Sequence, residues 1–137
     1  MTVLAVDVAN VVGSRPDGWW RDRAGAAGRL LDRLAALPGA VLPGPDGGPL
    51  TCTGVLAVVE GAARGVPAPE GIELVRAPAG GDDALVAAVG GLAAPALVVT
   101  ADRGLRARLP AGSAVTGPGW LLAELDRRDG MTAGGGG

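Results

Sequence analysis

The fold is decided by the segment Thr2-Val3-Leu4-Ala5-Val6-Asp7-Val8, an apolar run of strand length in which a single carboxylate stands near the end. Runs that are apolar on both faces are typical of strands in parallel sheets covered by helices on each side. Similar runs predict further strands at 55–59, 72–75, 96–100 and 113–115. Helical periodicity predicts helices between and after them, at about 20–37, 83–92, 103–109 and 119–128. We therefore expect an α/β fold, a three-layer sandwich with a central, mostly parallel sheet of four to five strands.

Two segments lack this regular pattern. Residues 43–54 are rich in Gly and Pro and show little periodicity, which predicts a long loop. The Gly-rich segment 130–137 is predicted to be a disordered tail. The remaining 1–129 form a single domain in this interpretation, since 137 residues with an apolar fraction of 48% suit one core.

The sequence also indicates where the protein works. No apolar run approaches the roughly 20 residues of a membrane-spanning helix, and no secretory leader is recognisable. The lone Cys52 cannot form an internal disulfide. These features favour a cytoplasmic protein that does not bind a membrane.

Missing residue types restrict the chemistry. The chain has no His, and all 12 basic residues are Arg. The lack of His excludes Ser-His-Asp and Cys-His catalysis, and the lack of Lys excludes a Walker-type phosphate loop and a Schiff base. Carboxylates remain, and their hard oxygen atoms prefer Mg²⁺ or Mn²⁺. Because the net charge is −2, any contact with nucleic acid is expected to be local.

Carboxylates from four segments are expected to meet at one edge of the sheet. Asp7, Glu60 and Asp102 stand at or just after the carboxyl ends of predicted strands, where ligands collect in parallel α/β sheets. Asp82 and Asp83 begin a helix that can face the same edge. Since like charges held together are costly unless a cation or protons intervene, we predict a divalent cation there. Helix capping alone is the competing explanation for Asp82, Asp83 and Asp102.

Four short motifs follow one another along the chain. They are Val6-Asp7-Val8-Ala9-Asn10-Val11-Val12-Gly13, Val58-Val59-Glu60, Gly81-Asp82-Asp83-Ala84-Leu85-Val86 and Val98-Val99-Thr100-Ala101-Asp102-Arg103-Gly104. In order and spacing, over about residues 2–125, they resemble the acidic motifs of PIN-like nucleases, particularly the NYN branch. The resemblance implies a PIN-like fold and metal-dependent cleavage of RNA phosphodiester bonds.

Matching positions assign roles to residues. The resemblance implies that Asp7, Asp82 and Asp102 are the metal ligands of a Mg²⁺ or Mn²⁺ ion. It implies that Asn10 orients Asp7 or a bound water, and that Thr100 supports the loop around Asp102.

Other residues complete the candidate site and also show where the chain departs from the family. Glu60 and Asp83 are further candidate catalytic acids, because either could hold or deprotonate the attacking water. Glu60 stands where the branch usually carries Asp, and Arg103-Gly104 follows Asp102 where many relatives carry a second acid. We therefore expect one ion rather than two.

The residues predicted to bind substrate phosphate are Arg103, Arg64, Arg15 and Arg21.

Three functions stay open at this point. The first is a metal-dependent endoribonuclease acting on single-stranded or structured RNA. The second is a weak or inactive module of the same fold that binds RNA, a protein partner or a second copy in a homodimer, which the missing acid after Asp102 favours. The third, a metal-dependent phosphatase or nucleotide hydrolase, is disfavoured by Ala9 and by the lack of Lys. The pair Trp19-Trp20 is more typical of packing than of base stacking.

Overall fold

A central sheet and the helices on its two faces make up the described part of the chain. The structure is a computed structural model that describes residues 1–111 and 113–135, with side chains described as far as residue 130. The strands are β1 Thr2–Asp7, β2 Val41–Pro43, β3 Pro49–Val59, β4 Ile72–Arg76, β5 Ala96–Val99 and β6 Ala114–Thr116. The helices are α1 Val8–Val12, α2 Arg23–Leu34, α3 Gly81–Gly90, α4 Arg103–Arg108 and α5 Pro118–Gly135, and short 3-10 turns lie at Trp19–Arg21 and Gly61–Gly65.

Strand β1 lies in the middle of the sheet. It pairs in parallel with β3 on one side and with β5 on the other. Strands β4 and β6 extend the sheet in parallel beyond β3 and β5. Among the strands of the described residues, β2 alone is antiparallel, paired with residues 49–51 of β3. The predicted α/β fold with a mostly parallel sheet is thus confirmed.

Different helices cover the two faces of the sheet, which gives three layers. Leu4 and Val6 of β1 belong to a core that includes buried residues of α1, α2 and α5. Ala5, between them, belongs to a second core that includes residues of α3 and α4. Side chains alternate between faces along a strand, so burial of both faces requires an unbroken apolar run. The burial of both faces explains why β1 is an unbroken apolar run up to Asp7.

The chain leaves β1 and β5 toward opposite faces of the sheet. After β1 it enters α1 and α2 in the first core, and after β5 it enters α4 in the second. Because β1 and β5 are neighbours, a crevice opens between the two departing segments at the carboxyl ends of the strands. This topological switch point is where parallel α/β sheets usually bind ligands.

The predicted loop at 43–54 is wrong, because most of it belongs to the β2–β3 hairpin. Its Gly and Pro residues form a tight turn in which Gly44 N donates to Gly48 O at 2.7 Å and Gly47 has a φ of 90°. Outside the turn, Leu42 and Cys52 are buried in the first core. The hairpin supplies the sixth strand, one more than the predicted upper limit.

Two further elements differ from the sequence-based expectation. Helix α1 was not predicted, because five residues are too few to show helical periodicity. Helix α5 continues to Gly135, so the described part of the predicted disordered tail has a helical backbone. Residues 136 and 137 lie outside the described residues, and the domain boundary at residue 129 stays a prediction. Within the described ranges, no helix has the length and apolar character needed to cross a membrane.

The hairpin makes a prediction that separates it from a loop. Leu42→Ala should lower the free energy of unfolding by about 2–5 kcal/mol, because Leu42 is 1% exposed and its loss leaves a cavity. The neighbouring Val41→Ala should cost about 1 kcal/mol or less, because Val41 is 60% exposed. Urea denaturation of both variants measures the difference, and equal small losses would contradict the hairpin.

Candidate functional site

Asp7 joins the end of the central strand to its neighbour. It closes β1 and is the N-cap of α1, where its Oδ1 accepts a hydrogen bond from Asn10 N at 3.3 Å. Its Oδ2 accepts a second hydrogen bond from Thr100 Oγ1, just after β5, at 3.2 Å. Asp7 is partly buried, so these bonds hold its carboxylate in the crevice between β1 and β5.

The loop after β5 is held by side chains on both sides. Thr100 is 2% exposed, and its Oγ1 accepts from Asp102 N at 3.1 Å while it donates to Asp7. Asn10 Oδ1 accepts from Ala101 N at 2.8 Å. Asp102 Oδ1 accepts from Leu105 N at 3.1 Å and caps α4. The side chain of Asn10 thus holds the loop, and it is the backbone of Asn10 that contacts Asp7.

Glu60 and Asp82 come from two further segments that lie near Asp7. Glu60 directly follows β3, and its Oε2 accepts a hydrogen bond from Gly81 N at the start of α3. A Cβ added at Gly81 would lie 2.5 Å from Glu60 Oε2, so a larger residue there would displace the Glu60 carboxylate. Asp82, the next residue, lies in the first turn of α3 and is partly buried.

The carboxylates influence one another electrostatically. Burial raises the pKa of Asp7, and the charges of Asp82 and Glu60 raise it further, while the hydrogen bonds from Asn10 and Thr100 oppose the rise. Burial also raises the pKa of Asp82, with added contributions from Asp102 and Glu60. The structure therefore brings four predicted site acids into one electrostatic cluster, the acidic cluster: Asp7, Glu60, Asp82 and Asp102.

A closed set of metal ligands is not present in this arrangement. Among the residues that the structure describes, no group of three or more His, Cys, Asp or Glu side chains has positions that could hold a metal ion. The donor chemistry nevertheless suits a hard cation, because the cluster consists of carboxylate oxygens whose charges repel one another. The four carboxylates of the acidic cluster are near enough to interact electrostatically. To bind one ion together, their side chains would have to move closer to one another.

Asp83, also predicted as a catalytic acid, is turned out of the acidic cluster. Its side chain is 80% exposed and forms an ion pair with Arg108 of α4. Arg108 also lowers the pKa of Asp82, against the stronger effects that raise it. The sequence carries no signal of this contact, because Arg108 lies at the end of a short helix and 25 residues from Asp83.

The four predicted phosphate ligands have different surroundings. Arg103 is exposed beside Asp102, and Arg64 is exposed on the turn after Glu60, where its Nη1 donates to Pro78 O at 3.3 Å. Arg15 instead forms an ion pair of 2.8 Å with Asp126 of α5. The guanidinium of Arg21 lies over the Trp20 ring, 6.0 Å from its centre. Arg103 thus directly follows Asp102 in the sequence, Arg64 follows Glu60 by four residues, and both arginines are exposed.

Comparison with known proteins shows the fold. The chain is similar to the crystal structure of Rae1 (YacP) from Bacillus subtilis, with a TM-score of 0.66 and 18% identity over 97% of this chain and 80% of that one. A point mutant of the same protein gives a TM-score of 0.63 and 20% identity, over 93% of this chain and 76% of that one. No protein-family model and no curated protein sequence matches the chain. At this identity the likeness shows a shared fold, and residue roles must come from the geometry.

Proposed function

We propose that this chain is a metal-dependent endoribonuclease of PIN-like type that hydrolyses RNA phosphodiester bonds at the acidic cluster. The observation that supports the proposal is the electrostatic influence of Asp7, Glu60, Asp82 and Asp102 on one another, in which burial and repulsion raise the pKa of Asp7 and Asp82. A structural role alone does not require four carboxylates from separate segments at one place. A bound cation would relieve their repulsion.

Three of these acids would hold the ion. Asp7, Asp82 and Asp102 offer hard oxygen ligands, which suit Mg²⁺ or Mn²⁺ with water and phosphate in the remaining positions. Such an ion supplies an activated water and neutralises charge on the phosphate oxygens. Binding of the ion would require a change in side-chain conformation, because the carboxylates of the described residues are not already arranged as a set of metal ligands.

The surrounding residues have separate tasks. Thr100 and Asn10 position Asp7 and the loop that carries Asp102, through the hydrogen bonds that join the ends of β1 and β5. Glu60 has a carboxylate that can accept a proton from water at the edge of the cluster. The exposed guanidinium groups of Arg103 and Arg64 bind the phosphates on either side of the cleaved bond.

A second candidate function is an RNA-binding or protein-binding module without catalysis. Two observations favour it. Arg103 and Gly104 stand where a second acid would follow Asp102, and the described residues contain no closed group of three ligands. In this function the acidic cluster would bind a cation only weakly or not at all, and the fold would present Arg103 and Arg64 to a partner.

The metal site predicts a thermal shift. At ten times its dissociation constant, Mn²⁺ or Mg²⁺ should stabilise the wild type by about 1.4 kcal/mol, which raises the melting temperature by about 5 °C. Asp7→Asn should abolish the rise, while Asn retains the helix cap. Asp32→Asn, at an exposed position of α2, is the matched control and should keep the full shift. A shift that is the same in all three proteins would contradict the site.

Without metal, the raised pKa of Asp7 predicts a pH dependence. A carboxyl group with a pKa above its usual 3.8 binds its proton more tightly in the folded chain. The stability that protonation confers is complete at low pH and is lost as the pH rises through the raised pKa. The difference in unfolding free energy, Asp7→Asn minus wild type, should therefore increase with pH from about 4 upward. Urea denaturation with EDTA at several pH values measures it, and a difference that decreases with pH would contradict the electrostatic account.

Cleavage decides between the two functions. Wild type and Asp102→Asn are incubated with end-labelled single-stranded RNA and Mn²⁺, with Asp32→Asn as the control. An enzyme should lose about 100-fold or more of its rate in Asp102→Asn and keep it in the control. Asn preserves the cap of α4, so loss of folding does not explain a loss of rate. Equal cleavage by all three proteins would indicate a contaminant, and RNA binding without cleavage would establish the binding module.

A further inference from the structure

A groove next to the acidic cluster is not used by the proposed chemistry. It has a volume of about 460 Å³ and lies between α1, the Trp19–Arg21 turn, the start of α2 and the Gly61–Gly65 turn. Its walls include Val8, Val12, Trp19, Arg23, Glu60 and Ala63. The volume lies in the range of sites that bind small molecules or single residues of a polymer.

The chemistry of the walls suits a flat, partly polar ring. Val8, Val12 and Ala63 supply aliphatic surface from the first core and its border. The guanidinium of Arg23 lies over the Trp19 ring, 5.5 Å from its centre, so two flat groups of the kind that stack on nucleobases stand together at the groove. Glu60 adds a carboxylate that can accept hydrogen bonds from a base edge. Apolar walls with a few polar groups are typical of ligand sites.

The groove is continuous with the acidic cluster. Glu60 belongs to both, since it lines the groove and acts electrostatically on Asp7 and Asp82. Helix α1 also connects them, because Asp7 caps it and Val8 and Val12 face the groove. At a rise of about 1.5 Å per residue, Val12 is only about 7.5 Å along the helix from Asp7. A nucleotide with its base in the groove therefore has its phosphate near the carboxylates.

We infer that the groove binds the unpaired base of an RNA nucleotide next to the cleaved phosphate, with Trp19 and Arg23 as the stacking surface. The inference rests on the proposed function, and it specifies the substrate as RNA that is single-stranded at the cleavage point. A base in a duplex cannot enter, because it is already paired and stacked. The sequence pattern favours packing for Trp19, and the structure adds the groove that Trp19 lines.

Neighbouring tryptophans offer a matched pair of variants. Trp19 lines the groove and is partly buried, whereas Trp20 is 51% exposed and does not line it. Binding is measured by fluorescence anisotropy in EDTA, with a labelled eight-nucleotide oligoadenylate and an abasic phosphodiester oligomer of the same length. The wild type should bind the oligoadenylate about 5- to 150-fold more tightly than the abasic oligomer. Trp19→Leu should abolish this preference, and Trp20→Leu should keep it.

A second set of variants covers the case in which Trp19→Leu does not fold. Ala62 and Ala79 are exposed and line the groove, so Ala62→Leu and Ala79→Leu fill it from positions that tolerate larger side chains. Ala87→Leu, exposed on α3 and away from the groove lining, is their control. The two groove variants should lose the preference for the base-bearing oligomer, and the control should retain it.

The outcomes separate this inference from the proposed function. Equal affinity of the wild type for base-bearing and abasic oligomers, or for single-stranded and duplex RNA, would overturn the groove even if RNA is cleaved in Mn²⁺. Equal losses in Trp19→Leu and Trp20→Leu would also overturn it. A base preference that depends on Trp19, together with no cleavage in Mn²⁺, would support the groove and overturn the nuclease.

Discussion

The structure depends on the carboxylate of Asp7, which is held between Asn10 N at 3.3 Å and Thr100 Oγ1 at 3.2 Å. One oxygen starts α1 and the other ties the end of β1 to the segment after β5. Both strands are central and apolar, so their ends need polar partners where the chain leaves the sheet. Thr100 extends the same network to Asp102, whose own side chain begins α4. The crevice between β1 and β5 is therefore shaped by hydrogen bonds that start at one partly buried acid.

Structural and chemical roles of the acids are compatible at this site. Asp7 and Asp102 both cap helices, and capping fixes the direction of a carboxylate without using all of its acceptor capacity. Glu60 likewise accepts from Gly81 N while it belongs to the acidic cluster. Each cap or backbone contact partly offsets the cost of burying a charge, yet the pKa of Asp7 stays raised because burial and nearby acids outweigh its hydrogen bonds. Burial of this charge, together with the nearby acids, is the physical reason to expect a cation, and capping alone does not remove it.

Sequence patterns predicted the parts of the fold in which local composition and burial agree. The run at 3–6 is buried on two faces, so β1 and its end at Asp7 could be placed from the sequence. The β2–β3 hairpin could not be placed from the sequence. Its turn is rich in Gly, and its strands have few inward-facing apolar residues, such as Leu42, to form a recognisable pattern. Helix α1 was too short for periodicity. Arg15 was predicted to bind phosphate, and its ion pair with Asp126 could not be foreseen. That contact joins residues far apart in the sequence, and no local pattern indicates it.

The brevity of α1 connects the acidic cluster to the groove. Asp7 begins this helix and Gly13 ends it after five residues. A Cβ at Gly13 would lie 3.1 Å from Ala9 O, so the glycine avoids a tight contact at the end of the helix, and Trp19 Cζ2 lies close to the same position. The chain then returns through the Trp19–Arg21 turn and places Trp19 beside the helix. Helix α1 thus extends from its cap at Asp7 to Val12, which lines the groove together with Trp19.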